Sequence, residues 1–455
     1  MTHPQRATAP VAPVASADPA RLQSLVGDLL EEARRRGASA AEAGVSNETG
    51  LSVNVRMGEV ETVEYHRDQG LGVTVYFGAR KGSASTADLR PEAIRETVQA
   101  ACDIARYTAE DPCAGLADPA RMAHAIPDLD LDHPWELDTE HAIEVALACE
   151  NAARELDARI TNSEGAGVDT HRAVHVYGNT HGFLGAYPST RHSVSCSVIA
   201  QSAREMQRDY WYSAARDPAD LEAAEAVGRR AAERAVRRLD ARRLKTREAP
   251  VVYAADVAGG LLRLFLGAIR GTNLYRKASF LVDHLGKPVF PGFVRIDERP
   301  HLKKAMGSAP FDAEGVETRD RALVEDGVLQ GYLLDSYAAR KLGMETTGNA
   351  GGAHNVLIEP GEHDLEGLLR EMGTGLLITE LMGHGSNLLT GDYSRGAAGF
   401  WVEGGEIRHP VEEVTVAGNL RDIFMGLAAV GNDVDRRGNV RSGSLLIERM
   451  TIAGQ

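Results

Sequence analysis

The spacing of apolar residues in the first part of the chain changes from helical to strand-like. Asp18 followed by Pro19 is typical of a helix start, because the aspartate caps free N–H groups and proline fits the first turn. Apolar residues then recur at helical spacing until Gly37, at Leu22, Leu25, Val26, Leu29 and Leu30. Between Leu51 and Val75 apolar and polar residues alternate on both sides of a turn at Gly58, which predicts paired strands.

The rest of the first half continues this mixture of helices and strands. Helices are predicted near 89–108 and 138–157, and short alternating segments between about 159 and 212 predict antiparallel strands. A helix rich in alanine and arginine follows at roughly 219–241, and the basic segment LDARRLKTREAP after it is the expected domain boundary. We therefore expect an N-terminal α+β domain with mixed or antiparallel sheets over 19–243, with sub-parts at about 19–115 and 133–243.

The second half is richer in strand-like segments. The stretch VVYAADVAGGLLRLFLGAIRG predicts a strand followed by an apolar helix. Further strand-like pieces alternate with glycine turns, and one predicted helix, centred on residues 365–372, interrupts them. We expect a second, strand-rich α+β domain over 248–455. We find no sequence period that would indicate an internal duplication.

Length and charge limit the classes of function. A chain of 455 residues is long enough for two or three domains, each with its own core. Aspartate plus glutamate exceed lysine plus arginine by 65 to 50, a net charge of -15 that repels phosphate backbones. No run of about 18 apolar residues occurs. Neither a nucleic-acid ligand nor a membrane span is therefore expected.

The cysteines and the first residues bear on location. The four cysteines lie in the first half without CxxC spacing, which is typical of unpaired thiols in a reducing compartment. Residues 1–18 are rich in alanine and proline but lack the continuous apolar run of a signal peptide, so they are predicted to be a disordered tail. A cytoplasmic protein is expected.

Several familiar catalytic motifs are absent. No G-x-x-x-x-G-K-[ST] phosphate loop and no G-x-S-x-G nucleophile turn occur. His171 and His175 are four residues apart and would share one side of a helix or a strand, as two metal ligands must. No third metal ligand or general base lies at a sequence spacing typical of a metal site. A pair of solvent-facing strand histidines is therefore the favoured interpretation.

The stretch ELMGHGSNLLTGDYSRGAAGFWVEGGE, residues 380–406, is the densest in reactive groups. His384 and Ser386 are a candidate base and nucleophile, with Asp392 to orient the histidine, but such a trio in sequence order is common. The favoured alternatives are a turn-rich structural element, in which Asp392 caps a turn and Arg395 pairs with a buried carboxylate, or a peptide-binding groove.

The same stretch carries a family resemblance. TGDYSRGAAGFWVEGGEIRHPVEEVTVAGNLRD, with YRKASFLVDHLGKP and SYAARKLGMETTGNAGGAHN before it and GSLLIERMTIAG at the end, resembles the PmbA (TldE) branch of the TldD/PmbA family. The resemblance extends from about residue 20 to the last residue and is strongest from 250 onward.

The resemblance implies a cytoplasmic zinc metalloprotease built from two related chains. In this family TldD-like chains carry a His-Glu-x-x-x-His helix and a late cysteine, which hold zinc and supply the general base. The complex cleaves unfolded or extended peptides, which include modified antibiotic precursors that lose a leader and antitoxin proteins. The expected partner is a TldD-like subunit in a heterodimer, and a homodimer is the alternative form of the chain alone.

This chain departs from the zinc-binding pattern. The matching helix reads GLLRLFLGAIRG, so Arg263, Leu264 and Ala268 stand where the family has histidine, glutamate and histidine. A guanidinium repels a cation, and aliphatic side chains donate nothing to a metal. No cysteine follows residue 200. We therefore expect no metal and no catalytic residue in this chain, and zinc in the TldD-like partner.

The glycine-rich stretch is then expected to shape a substrate channel to which an extended peptide adds as a strand. Six residues are candidate peptide contacts: Tyr275, Arg276, His384, Asp392, Tyr393 and Arg395. Two alternatives remain, namely a metal-free hydrolase that acts alone through His384, Ser386 and Asp392, and a non-proteolytic regulator of DNA gyrase.

Overall fold

The computed structural model describes residues 18–454, so the predicted tail over 1–18 lies outside the described chain except for Asp18. The Asp18 carboxylate accepts the N–H of Ala20 at 3.0 Å and begins the first helix, as predicted. Up to residue 243 the helices are α1 (Pro19–Arg35), α2 (Pro91–Tyr107), α3 (Thr139–Arg154) and α4 (Ala224–Arg237). The strands are β1 (Ala40–Arg56), β2 (Glu59–Phe77), β3 (Arg80–Thr86), β4 (Ile160–Asn179), β5 (Leu184–Gln201) and β6 (Met206–Ala215).

These strands form one antiparallel sheet between residues 40 and 215, in the order β3-β2-β1-β4-β5-β6. The long central strands β1 and β4 pair from Glu42 with Asn179 to Val55 with Ala166. Each half of the sheet has the same chain order, helix, three strands, helix, so the topology repeats across the β1–β4 pair. The fold thus contains a duplication of topology that no sequence period revealed.

Both helix pairs cover the same face of this sheet. Successive strand residues point to opposite faces, and the odd-numbered apolar residues of β1 all point to the helices. At one end of β1, Ala41, Ala43 and Val45 pack with α1 and α2. At the other end, Leu51 and Val53 pack with α3 and α4. The opposite face of the central strands carries no helix within the described residues, and we call it the open face.

A buried carboxylate joins the two halves of the sheet. The turn between β1 and β2 consists of Met57 and Gly58, both with positive φ (54° and 84°), which suits a two-residue hairpin. Glu150 of α3 is 0 % exposed. Its two carboxylate oxygens accept the N–H groups of Met57 and Gly58, each at 2.8 Å.

The second half is built around a closed sheet. Its helices are α5 (Ala255–Ala268), α6 (Gly271–Tyr275), α7 (Ser336–Leu342), α8 (Leu365–Met372) and α9 (Leu420–Met425). Its strands are β7 (Arg247–Tyr253), β8 (Ile296–Glu298), β9 (Arg321–Glu325), β10 (Val328–Leu329), β11 (Val356–Ile358), β12 (Gly375–Met382), β13 (Asp392–Glu403), β14 (Glu406–Asn419), β15 (Leu427–Val430), β16 (Val440–Arg441) and β17 (Leu445–Ala453). One sheet has the order β14-β13-β12-β7-β17-β15, and an added β14–β17 pairing closes five strands into a barrel. A smaller sheet has the order β10-β9-β8-β11-β16.

Polar contacts tie the two halves together. Trp211 of β6 lies between two guanidinium groups, that of Arg230 at 3.8 Å and that of Arg437 at 3.9 Å from its ring centre. Arg340 of α7 donates to the main-chain oxygens of Cys113, Gly115 and Leu116 and so holds the segment between α2 and α3. The division into domains 19–243 and 248–455 stays a prediction.

The α+β class is confirmed, but several details were predicted wrongly. β1 and β4 are longer than the alternation indicated, because residues 40–50 carry glycine, serine and glutamate on the open face. By contrast, the sheet of the first half is purely antiparallel, which agrees with one of the two predicted arrangements. α8 is not the only helix among the strands of the second half, because α7 and α9 also occur there. These two are short helices of 7 and 6 residues, which leaves little apolar periodicity to detect.

Close helix packing yields a matched pair of glycine substitutions as a test. A Cβ at Gly228 of α4 would lie 1.9 Å from the main-chain oxygen of Cys149 in α3, whereas a Cβ at Gly260 of α5 meets nothing within 4 Å. We expect Gly228→Ala to lower the free energy of unfolding by about 3 kcal/mol through overpacking. Gly260→Ala should raise it by about 1 kcal/mol, because alanine restricts the unfolded chain and favours helix. Urea denaturation of both variants checks this, and equal effects would contradict the packing of α3 on α4.

Candidate functional site

Helix α5 carries the three positions at which the family resemblance implies metal ligands. Arg263 is exposed, and its guanidinium approaches the loop around Gly438. Burial opposes ionisation of the nearby Asp435, yet hydrogen bonds from Arg437 and the charge of Arg263 hold its pKa below the usual value. Leu264 packs against the main core of the second half, and Ala268 is 0 % exposed within it.

These side chains do not fit a zinc ion. Zinc in proteins is bound by thiolate, imidazole or carboxylate groups, and these three positions provide a cation, an isobutyl group and a methyl group. The Ala268 side chain faces the core rather than a cavity that could admit a ligand. Across residues 18–454, no group of three or more His, Cys, Asp or Glu side chains has the arrangement to hold a metal ion. Leu264 and Ala268 instead contribute to the core of the second half.

The candidate triad lies in the loop between β12 and β13. His384 and Ser386 are exposed, and Ser386 N–H donates to the main-chain oxygen of His384 at 2.8 Å. The Asp392 carboxylate accepts the Thr390 hydroxyl at 2.6 Å. Within the described part of the chain, the side chains of His384, Ser386 and Asp392 make no hydrogen bond to one another. The trio is therefore not assembled as a catalytic relay.

Tyr393 lies inside the barrel rather than on its surface. It is 2 % exposed, and its hydroxyl accepts a hydrogen bond from Tyr253 at 3.4 Å. The Tyr253 hydroxyl also lies 3.3 Å from Met450 Sδ. Burial raises the pKa of both phenols, so both are protonated at neutral pH. The prediction that Tyr393 contacts a peptide directly does not fit this burial, and Tyr393 instead positions β13.

Arg395, two residues further along β13, is half-buried and points to the same side of the strand. Its Nη2 is 3.5 Å from the main-chain oxygen of Leu381, and its Nε is buried without a hydrogen-bond partner. Arg395 forms no ion pair with any residue in 18–454, so the expected pairing with a buried carboxylate is wrong. This guanidinium lies beside the exposed loop 383–391 and is available to a carboxylate or a carbonyl oxygen.

Tyr275 and Arg276 lie at the end of α6. The Tyr275 ring meets that of Tyr337 edge-on, with ring centres 5.8 Å apart, and the Arg276 guanidinium is 5.7 Å from the Tyr275 ring. Neither residue contacts His384, Asp392 or Arg395 through any described hydrogen bond or ring contact. The structure therefore separates the six predicted contacts into two places, the α6 end and the β12–β13 loop.

A further polar cluster lies on the open face of the first sheet, where only the two histidines had been singled out. His171 Nδ1 is 3.1 Å from a Glu48 carboxylate oxygen, and the His171 ring stacks on that of His66 at 5.9 Å. The Asp169 carboxylate accepts the Ser52 hydroxyl at 2.6 Å. His175 is exposed to a cavity, as the solvent-facing interpretation expected, but the surrounding protein desolvates it and lowers its pKa. The sequence signal for the cluster was the run of small and polar residues in β1.

No described helix is both long and apolar enough to cross a membrane. All four cysteines are unpaired, and Cys102, Cys149 and Cys196 are buried.

Comparison with known proteins places these features in a family. Residues 41–105 match domain 1 of the PmbA/TldA metallopeptidases, residues 132–239 match the central domain, and residues 246–454 match the C-terminal domain. The chain is 52 % identical to the metalloprotease PmbA of Escherichia coli O157:H7 over 95 % of this chain and 96 % of that protein. It is 49 % identical, over the same shares, to a metalloprotease PmbA homologue of Haemophilus influenzae. It is 24 % identical over 82 % of each chain to a TldD homologue of the same organism.

Solved structures share the whole architecture. A protein of Bacteroides thetaiotaomicron, described as a candidate modulator of DNA gyrase, superposes with a TM-score of 0.90 at 29 % identity over 95 % of this chain and 99 % of that one. TldE of Thermococcus kodakarensis has the same fold, with a TM-score of 0.83 over 94 % of this chain and 100 % of that one at 21 % identity. The three matched domains and the identity over nearly the full length agree: this chain belongs to the PmbA/TldD metallopeptidase family, in its PmbA (TldE) branch.

Proposed function

We propose that this chain is the subunit without a catalytic metal in a two-chain zinc metalloprotease, with a TldD-like chain as its partner. The observation that carries the proposal is helix α5, where Arg263, Leu264 and Ala268 supply no metal ligand. A catalytic zinc needs three protein ligands and a base beside its bound water. The metalloprotease names of the relatives are then best accounted for by zinc in a second chain.

The partner would be a protein of the kind to which this chain is also related. The TldD homologue matches over 82 % of both chains, which supports a pair built from two copies of one architecture. The complex acts in the cytoplasm on unfolded or extended peptides, including antibiotic precursors that lose a leader and antitoxins. This chain shapes the substrate channel and orders the active partner, and it forms a homodimer when the partner is absent.

The exposed loop 383–391 with Arg395 is one candidate surface for the peptide. His384 in the loop and Asp392 at the start of β13 are exposed, and the Nε of Arg395 is buried without a hydrogen-bond partner within residues 18–454. Residues 380–382 at the end of β12, next to this loop, pair with β13 on one side and with no described strand on the other. Tyr275 and Arg276 form a second candidate surface at the end of α6. Zinc and its water remain the partner's contribution.

One alternative function is supported by a specific observation. Two solved structures at 29 % and 26 % identity are described as candidate modulators of DNA gyrase. A non-proteolytic regulator would bind gyrase directly, and recovery of gyrase rather than a TldD-like chain on the immobilised protein would favour it.

Cleavage by the separate and mixed chains tests the proposed function. The isolated chain, after dialysis against chelator and back into zinc, should hold substoichiometric zinc by atomic emission and should not cleave an unfolded peptide. Addition of a TldD-like chain should produce chelator-sensitive cleavage, because the partner supplies the metal. A partner with its helix glutamate replaced by glutamine is the matched control. Stoichiometric zinc or chelator-sensitive cleavage by this chain alone would contradict the proposal.

A serine substitution tests the metal-free alternative. Ser386→Ala should leave cleavage by the mixed chains unchanged within about twofold, because Ser386 bonds neither His384 nor Asp392 through its side chain. Thr390→Ala, which removes the hydroxyl that does contact Asp392, is the comparison within the same loop. Chelator-resistant cleavage by the isolated chain that Ser386→Ala abolishes and Thr390→Ala retains would instead support the metal-free hydrolase.

A further inference from the structure

The open face of the first sheet forms the floor of a long groove. Loops of the second half, residues 309–313 and 350–354, border one part of it, where an open cavity has a volume of about 900 Å³. A second cavity of about 480 Å³ continues along β4 and β5, and His175 lines both. Small-molecule and peptide sites commonly have volumes of this size. From Asp169 to Tyr177 the floor follows nine residues of β4, and the eight steps between them span roughly 27 Å at about 3.4 Å each.

Glycines on the floor are not explained by packing. Gly44 of β1 pairs with Gly72 of β2, and Gly70 lies two residues along on the same face. A Cβ at Gly72 would meet nothing within 4 Å, and at Gly44 and Gly70 its nearest contacts would be 3.7 and 3.5 Å away. None of the three has a positive φ, so a larger residue would fit the backbone. Glycine weakens a strand interior and often marks the close approach of a ligand or of another chain.

Two arginines at the far end of the groove lack an anionic partner. The half-buried Arg216 donates to the main-chain oxygens of Thr190 at 2.8 Å and Met306 at 2.9 Å, and its Nε is buried without a partner. Burial lowers the pKa of Arg216, so the charge is costly there without a counterion. Arg191 is exposed, and neither arginine forms an ion pair within residues 18–454.

The two acidic residues at the arginine end of the groove lie close to other side chains of the sheet. Glu48 lies 3.1 Å from His171, and Asp169 accepts the hydroxyls of Ser52 at 2.6 Å and Ser193 at 3.3 Å. They leave the arginine end open to a carboxylate, and they disfavour a ligand with several phosphates, which the net charge of -15 also repels.

The other end of the groove is suited to an apolar side chain and a peptide backbone. The rings of Tyr187 and Phe311 meet edge-on with centres 5.4 Å apart on the cavity wall. His354 is 8 % exposed and donates from Nε2 to the Gly348 oxygen at 3.0 Å, which leaves Nδ1 as an acceptor without a partner among the described residues. The neighbouring Gly351 N–H has no acceptor within residues 18–454 either, so the wall offers both kinds of group that bind a main chain.

We propose that this groove binds an extended peptide that places an apolar side chain against Tyr187 and Phe311 and a carboxylate against Arg191 and Arg216. The strand register fixes the spacing. Tyr187 lies opposite His175 and Arg191 opposite His171, so the two subsites are four residues apart, about 14 Å along an extended chain. Side chains four residues apart on an extended peptide point to the same side. The assignment rests on the proposed function, since it places part of the peptide substrate on this chain.

Peptide binding to the isolated full-length chain tests the groove. The probe is a fluorescein-labelled peptide amide that contains Phe-Ser-Ala-Ser-Glu, and its binding is measured by fluorescence anisotropy. A second peptide with the reversed sequence, Glu-Ser-Ala-Ser-Phe, is measured in the same way. Replacement of Glu by Gln in the peptide should weaken binding about tenfold, as expected for a charge-assisted contact. A peptide with Phe and Glu adjacent should also bind more weakly. A peptide that ends in Ala with a free C-terminal carboxylate shows whether the site takes a terminal or a side-chain carboxylate.

Two variants locate the site on the protein. Gly72→Leu fills the floor without straining the backbone and should weaken binding of the probe by about tenfold or more. With Arg191→Gln the preference for the Glu peptide over the Gln peptide should fall well below tenfold, because only the Arg216 guanidinium then remains to bind the carboxylate. Gly27→Leu is the control for the first variant, because it adds a side chain on the exposed surface of α1, where a Cβ meets nothing within 4 Å. Arg67→Gln is the control for the second, because it removes an exposed charge from the opposite face of β2.

The outcomes separate this inference from the proposed function. Absence of probe binding by the wild-type chain, or binding unchanged by Gly72→Leu, overturns the groove assignment. If the mixture with a TldD-like chain still cleaves peptide in that case, the proposed function stands without the groove. If the isolated chain binds with the expected sensitivities but the mixture does not cleave, the groove stands and the proposed function fails.

Discussion

The alternation of side chains along β1 and β4, kept without a bulge over the paired stretches 42–55 and 166–179, is the constraint on which the rest of the structure depends. Because a strand turns successive side chains to opposite faces, a single register decides which residues meet the helices and which face the open side. Both helix pairs then rest on one face. A slip of one residue would bury Glu48 and His171 under the helices and expose Val45 and Val53, so the cores and the groove are specified together.

An element could be predicted from the sequence when its own residues carry a local signal, such as a capping residue or a regular apolar spacing. The start of α1 was predictable because Asp18 and Pro19 are local capping signals, and α8 because its apolar residues are closely periodic. The first half of β1 was missed, since glycine, serine and glutamate on the open face obscure the alternation. The residues of β13 that point into the barrel could not be predicted from that strand's sequence alone. The pairing of β13 with β12 and β14 decides that Tyr393 points inward.

The candidate sites show the same limit. The chemistry of Arg263, Leu264 and Ala268 follows from residue type, so the lack of donors was evident before any coordinates. The groove was not evident, because its walls come from β1, β4 and β5 and from loops more than a hundred residues further along the chain. The two observations are complementary: Leu264 and Ala268 of α5 pack in the core of the second half, whereas Arg191 and Arg216, which have no anionic partner among the described residues, lie on the open face of the first sheet. The groove is thus built from elements other than helix α5.

Glu150 has a consequence for how the repeated halves assemble. Its buried carboxylate belongs to the second helix–strand–helix unit, yet the two amides that satisfy it belong to the hairpin tip of the first. An unpaired charge in that position would be strongly unfavourable, and the tip would be left with bare amides. Neither unit is therefore a self-sufficient module that could be excised or exchanged at the segment between them. If the repeat arose by fusion of two like pieces, the pieces have since become mutually obligatory.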